Sequence, residues 1–284
     1  MLRLRILSAL VLVPVVAIVV LLGRPWLDIG VAVLAFLAAL EVFGLLRSAG
    51  VPAETLLWPA LVTVFVVALP RFLSSADWSP LPWLAVIVAA VMFVGCVAWL
   101  RRDAPRGEFP KWLAGLYGIF YPMLLTFLLV IVVVAPPIPA TAALAGVLDP
   151  GRVWLVILVA IVWAFDTGAY VTGRLLPRGR FMAFISPSKT WSGVIGGAVA
   201  ATVVGAVLTA ATGHAATDGA LVGLVVGVAG QLGDLAESAL KRAAGAKDSG
   251  TLIPGHGGIL DRVDSFLFAA PVLCIYLVSL DHLT

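Results

Sequence analysis

Residues Ser238–Asp264 read SALKRAAGAKDSGTLIPGHGGILDRVD. This short stretch holds Lys241, Arg242, Lys247, Asp248, His256, Asp261, Arg262 and Asp264, with Asp234 and Glu237 just upstream. Five of the fifteen acidic residues thus fall between Asp234 and Asp264, in a chain that is 12% charged and 62% hydrophobic. Each ionisable group near lipid costs free energy, so crowding of this kind marks a functional place. Both signs of charge beside the paired glycines Gly257 and Gly258 suit a metal ion and a phosphorylated substrate.

Around that cluster the chain is apolar. A mean hydropathy of +1.13 and repeated apolar runs near span length predict an all-α polytopic integral membrane protein. Nine spans are expected, roughly 7–23, 26–46, 56–70, 81–100, 112–134, 153–171, 193–212, 219–236 and 264–282. No polar segment is long enough to bury a core of its own, so residues 1–284 read as one membrane domain. Its N-terminal helices occupy 1–150, and the catalytic helices and loops occupy 151–284. The proline-rich connection Ala135–Gly151 reads as an extended loop. The N-terminus resembles a signal peptide but lacks a small-x-small cleavage site, which favours a retained first helix. Cys96 and Cys274 lie in separate apolar runs and read as buried free thiols.

Lysine and arginine set the orientation. With a cytoplasmic N-terminus and nine spans, fifteen of the eighteen basic residues face the cytoplasm, and only Arg24, Arg71 and Arg152 face the other side. The Asp234–Asp264 cluster then faces the cytoplasm, where nucleotides are found. The net charge of +3 is accounted for by topology and anionic membrane lipids, without nucleic acid.

Three constellations carry chemistry. On a helix, Asp234, Ser238 and Lys241 share one face at i, i+4 and i+7, with Glu237 beside it. Such a face can hold Mg²⁺ and neutralise phosphate, or it can be a self-compensating solvated helix end. In Pro254–Ser265, glycines at 255, 257 and 258 let backbone amides approach an anion. Asp261 and Asp264 at a helix start also suit capping, and His256 suits either a phosphate or a loop hydrogen bond. The third segment, Ile185–Gly193, holds Ser186 and Thr190, which suit capping of the helix that follows, and Lys189, open to a phosphate or a lipid headgroup. Asp166, deep in an apolar run, is a functional candidate or an interhelical hydrogen-bond partner. Small residues four apart, Gly193 to Gly197 and Gly223 to Gly227, permit close helix packing. Glu41 reads as a snorkelling or arginine-paired carboxylate without a role.

These residues resemble the phosphatidate cytidylyltransferase (CDP-diacylglycerol synthase) family. The defining motif is matched by Ser238-Ala239-Leu240-Lys241-Arg242, Lys247-Asp248, Pro254-Gly255-His256-Gly257-Gly258 and Asp261-Arg262-Val263-Asp264. Asp166-Thr167-Gly168-Ala169-Tyr170 with Gly173-Arg174, and Ser186-Pro187 with Lys189-Thr190, resemble two weaker motifs upstream. Ser188 and Ser192 depart from the lysine and glutamate that relatives commonly carry there, which touches a secondary basic contact. The resemblance implies transfer of a cytidylyl group from CTP to phosphatidate, giving CDP-diacylglycerol and pyrophosphate at the inner (plasma) membrane. It implies Asp234, Lys241 and Asp261 as catalytic residues and Asp234, Asp261 and Asp264 as Mg²⁺ ligands, with room for a second cation. Substrate contacts are then expected from Asp166, Ser186, Lys189, Ser238, Arg242, Lys247, Asp248, His256, Gly257, Gly258 and Arg262. A homodimer is compatible with such a chain. The rival expectations are a CTP-dependent lipid kinase of the polyprenol type and a cation-coupled transporter. A transporter would hold its charges mid-membrane on interrupted helices.

Overall fold

Pro150 opens one of the long helices because its fixed backbone angle suits a first turn and its missing N–H is not needed there. Asp149 caps that helix by accepting from the Arg152 amide at 3.0 Å, and the helix runs over Pro150–Leu175. The computed structural model describes residues 2–51, 56–73, 108–253 and 257–281. In chain order the helices are α1 (Leu2–Leu22), α2 (Trp26–Ser48), α3 (Leu57–Leu73), α4 (Glu108–Met123), α5 (Thr126–Val134) and α6 (Pro150–Leu175). Then come α7 (Trp191–Ala211), α8 (Ala216–Ala243) and α9 (Leu260–Asp281). Among the described residues there is no strand, only the isolated bridges Arg180–Thr190 and Ile253–Gly257.

Among the described residues, six stretches are long and apolar enough to cross a membrane: Trp26–Ser48, Leu113–Val134, Pro150–Leu175, Trp191–Ala211, Ala216–Ala243 and Leu260–Leu280. The chain is therefore an all-α, multi-pass membrane protein. The first and third expected spans appear as the shorter apolar stretches Val13–Leu22 and Leu57–Arg71. The fourth, 81–100, and Cys96 lie outside the described residues. The fifth expected span is broken between α4 and α5. Pro122 has no N–H to continue the α-helical ladder, and the chain turns through i to i+3 bonds from Leu124 to Tyr121 and from Leu125 to Pro122.

Helices α6, α7, α8 and α9 pack in sequence, each against the next. Small residues make this possible. A Cβ on Gly197 would meet the Phe165 carbonyl oxygen at 2.7 Å, and one on Gly223 would strike the carbonyl of Ala201. The backbones of α6, α7 and α8 thus touch without intervening side chains, the close approach that drives association in lipid. On the far side of α7, Ile195, Val199, Val203 and Val207 form an exposed row at four-residue spacing, as a lipid-facing surface requires. The core side of α6 buries Trp154, Ile157, Leu158, Ile161 and Phe165. Cys274 is a buried free thiol, as expected.

Gly233 of α8 packs directly on the Asp264 backbone of α9, and Gly230 lies against Ser265 one turn away. That crossing fixes the register between the two helices. The Tyr121 hydroxyl of α4 reinforces it by donating to the Gly233 carbonyl at 3.3 Å. Residues 234 and 264 therefore face each other at the end of the bundle that carries the charged motif.

Candidate active site

Helix α8 runs seven residues past its expected end at 236, because Lys241 and Arg242 in its last turn complement the negative end of the helix dipole. Its face presents Asp234, Glu237, Ser238 and Lys241 towards α9 and the α6–α7 loop. The Ser238 hydroxyl donates to Asp234 at 3.3 Å, so the shared face expected from spacing is real. Carboxylate oxygens of Asp234, Glu237 and Asp264 all lie within 4.8 Å of one another.

The α6–α7 loop delivers Lys189 to this group. Phe181 donates its amide to the Lys189 carbonyl at 2.9 Å, and the rings of Phe181 and Trp191 meet edge to face at 4.7 Å. Thr190 caps α7 by accepting from the Gly193 amide at 3.1 Å, as the sequence suggests. Held by these contacts, Lys189 puts its ammonium 2.7 Å from Asp234. Ser186 is half-buried in the same loop. Arg242 donates to the carbonyls of Ile185 at 3.4 Å and Ala246 at 3.2 Å, tying the end of α8 to both loops.

Lys241 lies between two carboxylates, 2.6 Å from Glu237 on its own helix and 2.5 Å from Asp261 on α9. Asp261 is fully engaged. One oxygen meets Lys241, and the other accepts from the Ser249 amide at 3.0 Å and the Gly258 amide at 2.8 Å, with the Ser249 hydroxyl oxygen 2.9 Å away. Asp261 stands with Lys241 and the loop, while Glu237 takes its place beside Asp234 and Asp264. The Gly258 amide, expected to face a phosphate, instead meets a carboxylate of the chain itself. Gly257 has a φ of +81°, which a residue with a side chain rarely adopts, and this turn lets Gly258 face Asp261.

Glu41 is the residue that sequence reasoning missed. It comes from α2, yet its carboxylate accepts from the Ser249 hydroxyl at 2.8 Å, the Ile259 amide at 2.9 Å and the Leu260 amide at 2.8 Å. A lone glutamate near a helix end carries no local signal of such a distant partner. Among the other expected residues, Lys247 and Asp248 are exposed on the α8–α9 loop, and Arg262 is exposed at the start of α9. Asp166 is exposed on α6 but close enough to feel the charges of Asp234, Lys189 and Arg262. His256 lies outside the described residues.

The donor set fits a divalent cation. In their charged forms Asp166, Asp234, Glu237, Asp261 and Asp264 face Lys189, Lys241 and Arg262, which leaves an excess of negative charge. Glu237 Oε1 is buried without a hydrogen-bond partner among the described residues, beside the oxygens of Asp234 and Asp264. A buried carboxylate oxygen of this kind needs a cation or a proton. Three oxygen ligands suit a hard ion such as Mg²⁺.

The profile of the cytidylyltransferase family matches residues 3–280. The chain belongs to this family. It is 32% identical to a phosphatidate cytidylyltransferase of Synechocystis sp. over 97% of this chain and 96% of the relative. It is 47% identical to one from Brucella suis over 44% of this chain and 47% of the relative. A Staphylococcus haemolyticus phosphatidate cytidylyltransferase is 45% identical over 42% of this chain and 47% of its own length. This cytidylyltransferase-family chain thus matches one relative end to end and others more strongly over less than half its length.

Proposed function

We propose that the chain transfers the cytidylyl group of CTP to phosphatidate, giving CDP-diacylglycerol and pyrophosphate. The observation that carries this reading is the meeting of Lys189, Asp234, Glu237 and Asp264 at one end of a lipid-embedded bundle, in a member of the cytidylyltransferase family. The phosphate monoester of the lipid is already an anionic nucleophile, so the site needs no strong base. The obstacle is repulsion between two anions at the α-phosphorus, and fixed positive charge is what lowers it. Lys189 is ready to exchange Asp234 for a phosphate oxygen. Lys241 keeps Asp261 and Glu237 in place and adds positive charge behind them. Arg242, Lys247 and Arg262 are exposed and would suit the triphosphate. Asp234, Glu237 and Asp264 would hold Mg²⁺, which supplies charge neutralisation on the phosphates when bound.

Purified protein in detergent, given labelled CTP, phosphatidate and Mg²⁺, is expected to release pyrophosphate and form a labelled lipid. Release of CDP instead would mean γ-phosphoryl transfer and a lipid kinase.

The site is further proposed to face the cytoplasm at the bacterial inner membrane, with nine spans and a cytoplasmic N-terminus. The three arginines left on the opposite side support this, since they gather at one end of the bundle, with Arg152 donating to the Leu21 carbonyl beside Arg24. Arg24 and Arg71 lie 3.2 and 2.9 Å from Asp28, and Arg152 pairs with Asp149. A reporter fused after Thr284 should then be non-cytoplasmic, and a cytoplasmic signal would remove the orientation.

A further inference from the structure

Glu41 lies in the N-terminal part of the chain, outside every motif described above, yet it closes the loop on which Asp261 depends. Its two carboxylate oxygens accept from Ser249, Ile259 and Leu260 at 2.8–2.9 Å. The amides of Ile259 and Leu260 open α9, and a helix start leaves such donors without partners in its own backbone. Glu41 satisfies them from another helix and places negative charge at the positive end of α9. Ser249 connects the two carboxylates: its hydroxyl lies 2.8 Å from Glu41 and 2.9 Å from Asp261.

The glycines of the loop independently mark the same contact. A Cβ on Gly250 would meet the Glu41 carboxylate at 2.7 Å, and one on Gly258 would overlap both that carboxylate and the Ser249 hydroxyl. Two loop positions are therefore kept free of side chains where Glu41 enters. A snorkelling glutamate would need neither gap.

We propose that Glu41 is a positioning residue for cytidylyl transfer, seating Ser249 and the start of α9 from α2 and thereby holding Asp261 against Lys241. The proposal rests on the reaction assigned above. Glu41 acts through Ser249 and the start of α9 and touches no reacting atom. Loss of its charge lets the loop and the first turn of α9 shift. Small displacements of groups that orient a reaction lower turnover by about ten- to a hundredfold.

The test compares wild type with Glu41→Gln, Glu41→Asp and Glu41→Ala in detergent, each checked for thermal unfolding and monodispersity. In Glu41→Gln, kcat is expected to fall by at least about tenfold, with KM for CTP and phosphatidate within about threefold of wild type. Amide hydrogen exchange should speed up at Ser249–Ile253 and Gly257–Leu260. Glu41→Asp should recover part of the rate, because it keeps the charge at a shorter reach. If Glu41→Ala does not fold, the glutamine and aspartate variants decide. Wild-type kcat per folded molecule, or unchanged exchange in the loop, overturns the proposal. Absence of product from the wild-type protein overturns the reaction reading instead. The exchange comparison needs no substrate, and it then still supports or overturns the seat.

Discussion

The ammonium of Lys189, on the loop between α6 and α7, lies 2.7 Å from the carboxylate of Asp234 on α8, forty-five residues away in the chain. The pair is half-buried, with side-chain exposures of 15% and 35%. A cation held as proposed would compete with this lysine for the same carboxylate, and a phosphate would offer the lysine an alternative partner.

Lys189→Met is expected to have two opposed effects. Turnover should fall, by about a hundredfold if the lysine stabilises charge in the transition state. Binding of a divalent ion in the absence of nucleotide should tighten, because Asp234 loses its competitor. Manganese titration followed by electron paramagnetic resonance reads the second effect directly. Unchanged Mn²⁺ affinity together with unchanged turnover would return Lys189 to a purely structural position.

Asp234→Asn, Glu237→Gln and Asp264→Asn keep size and remove charge from the acidic trio. Each should lower the rate at limiting Mg²⁺ by at least about a hundredfold, the scale of a main electrostatic stabiliser. Glu237 is the discriminating position, since its Oε1 lacks a hydrogen-bond partner among the described residues. Full activity of Glu237→Gln across a Mg²⁺ titration would exclude it as a ligand.

Lys241→Met strips the ammonium from two carboxylates at once. Glu237 has a side-chain exposure of 1% and Asp261 of 9%, so the charges left behind are poorly solvated. Breaking a buried pair from one side costs about 3–5 kcal/mol. Adding Glu237→Gln to Lys241→Met should recover part of that loss, a non-additivity measurable by thermal unfolding of the four proteins. Turnover per folded molecule should stay low in both variants. Lys241→Arg should also be impaired, because the planar guanidinium does not fit the compact ammonium site. Simple additivity of the two stability changes would mean that Lys241 and Glu237 do not act as a pair.

Local pattern made α6 to α9 legible, because long apolar runs and the Thr190 cap are signals carried within a few residues, whereas Pro150 and Gly151, expected in the extended loop before α6, instead form its first turn. The shared face of Asp234 and Ser238 was legible for the same reason. Long-range partners were not. Nothing near Glu41 announces Ser249 or Ile259, more than two hundred positions away. Glycines at 257 and 258 signal a close approach but not the identity of what approaches, and here it is a carboxylate. At α8 the helix continues past its apolar window, as the shared face of Asp234, Ser238 and Lys241 requires. The single span expected over 112–134 concealed a break, because Pro122 permits a helix to continue or to turn and packing decides between them.

Helix α8 has 28 residues, a length of about 42 Å, whereas the hydrocarbon of a bilayer is about 30 Å thick. If the surplus of about two turns lies at the charged end, it holds Glu237, Ser238 and Lys241, with Asp234 just beneath, and would carry them to the level of the phospholipid headgroups. A phosphatidate molecule then reaches these side chains by lateral diffusion, with its acyl chains never leaving the leaflet. Only the nucleotide crosses from three dimensions to two. The encounter with lipid is governed by its mole fraction in the surface rather than its concentration in the volume, so diluting phosphatidate with inert lipid slows the enzyme while adding buffer does not.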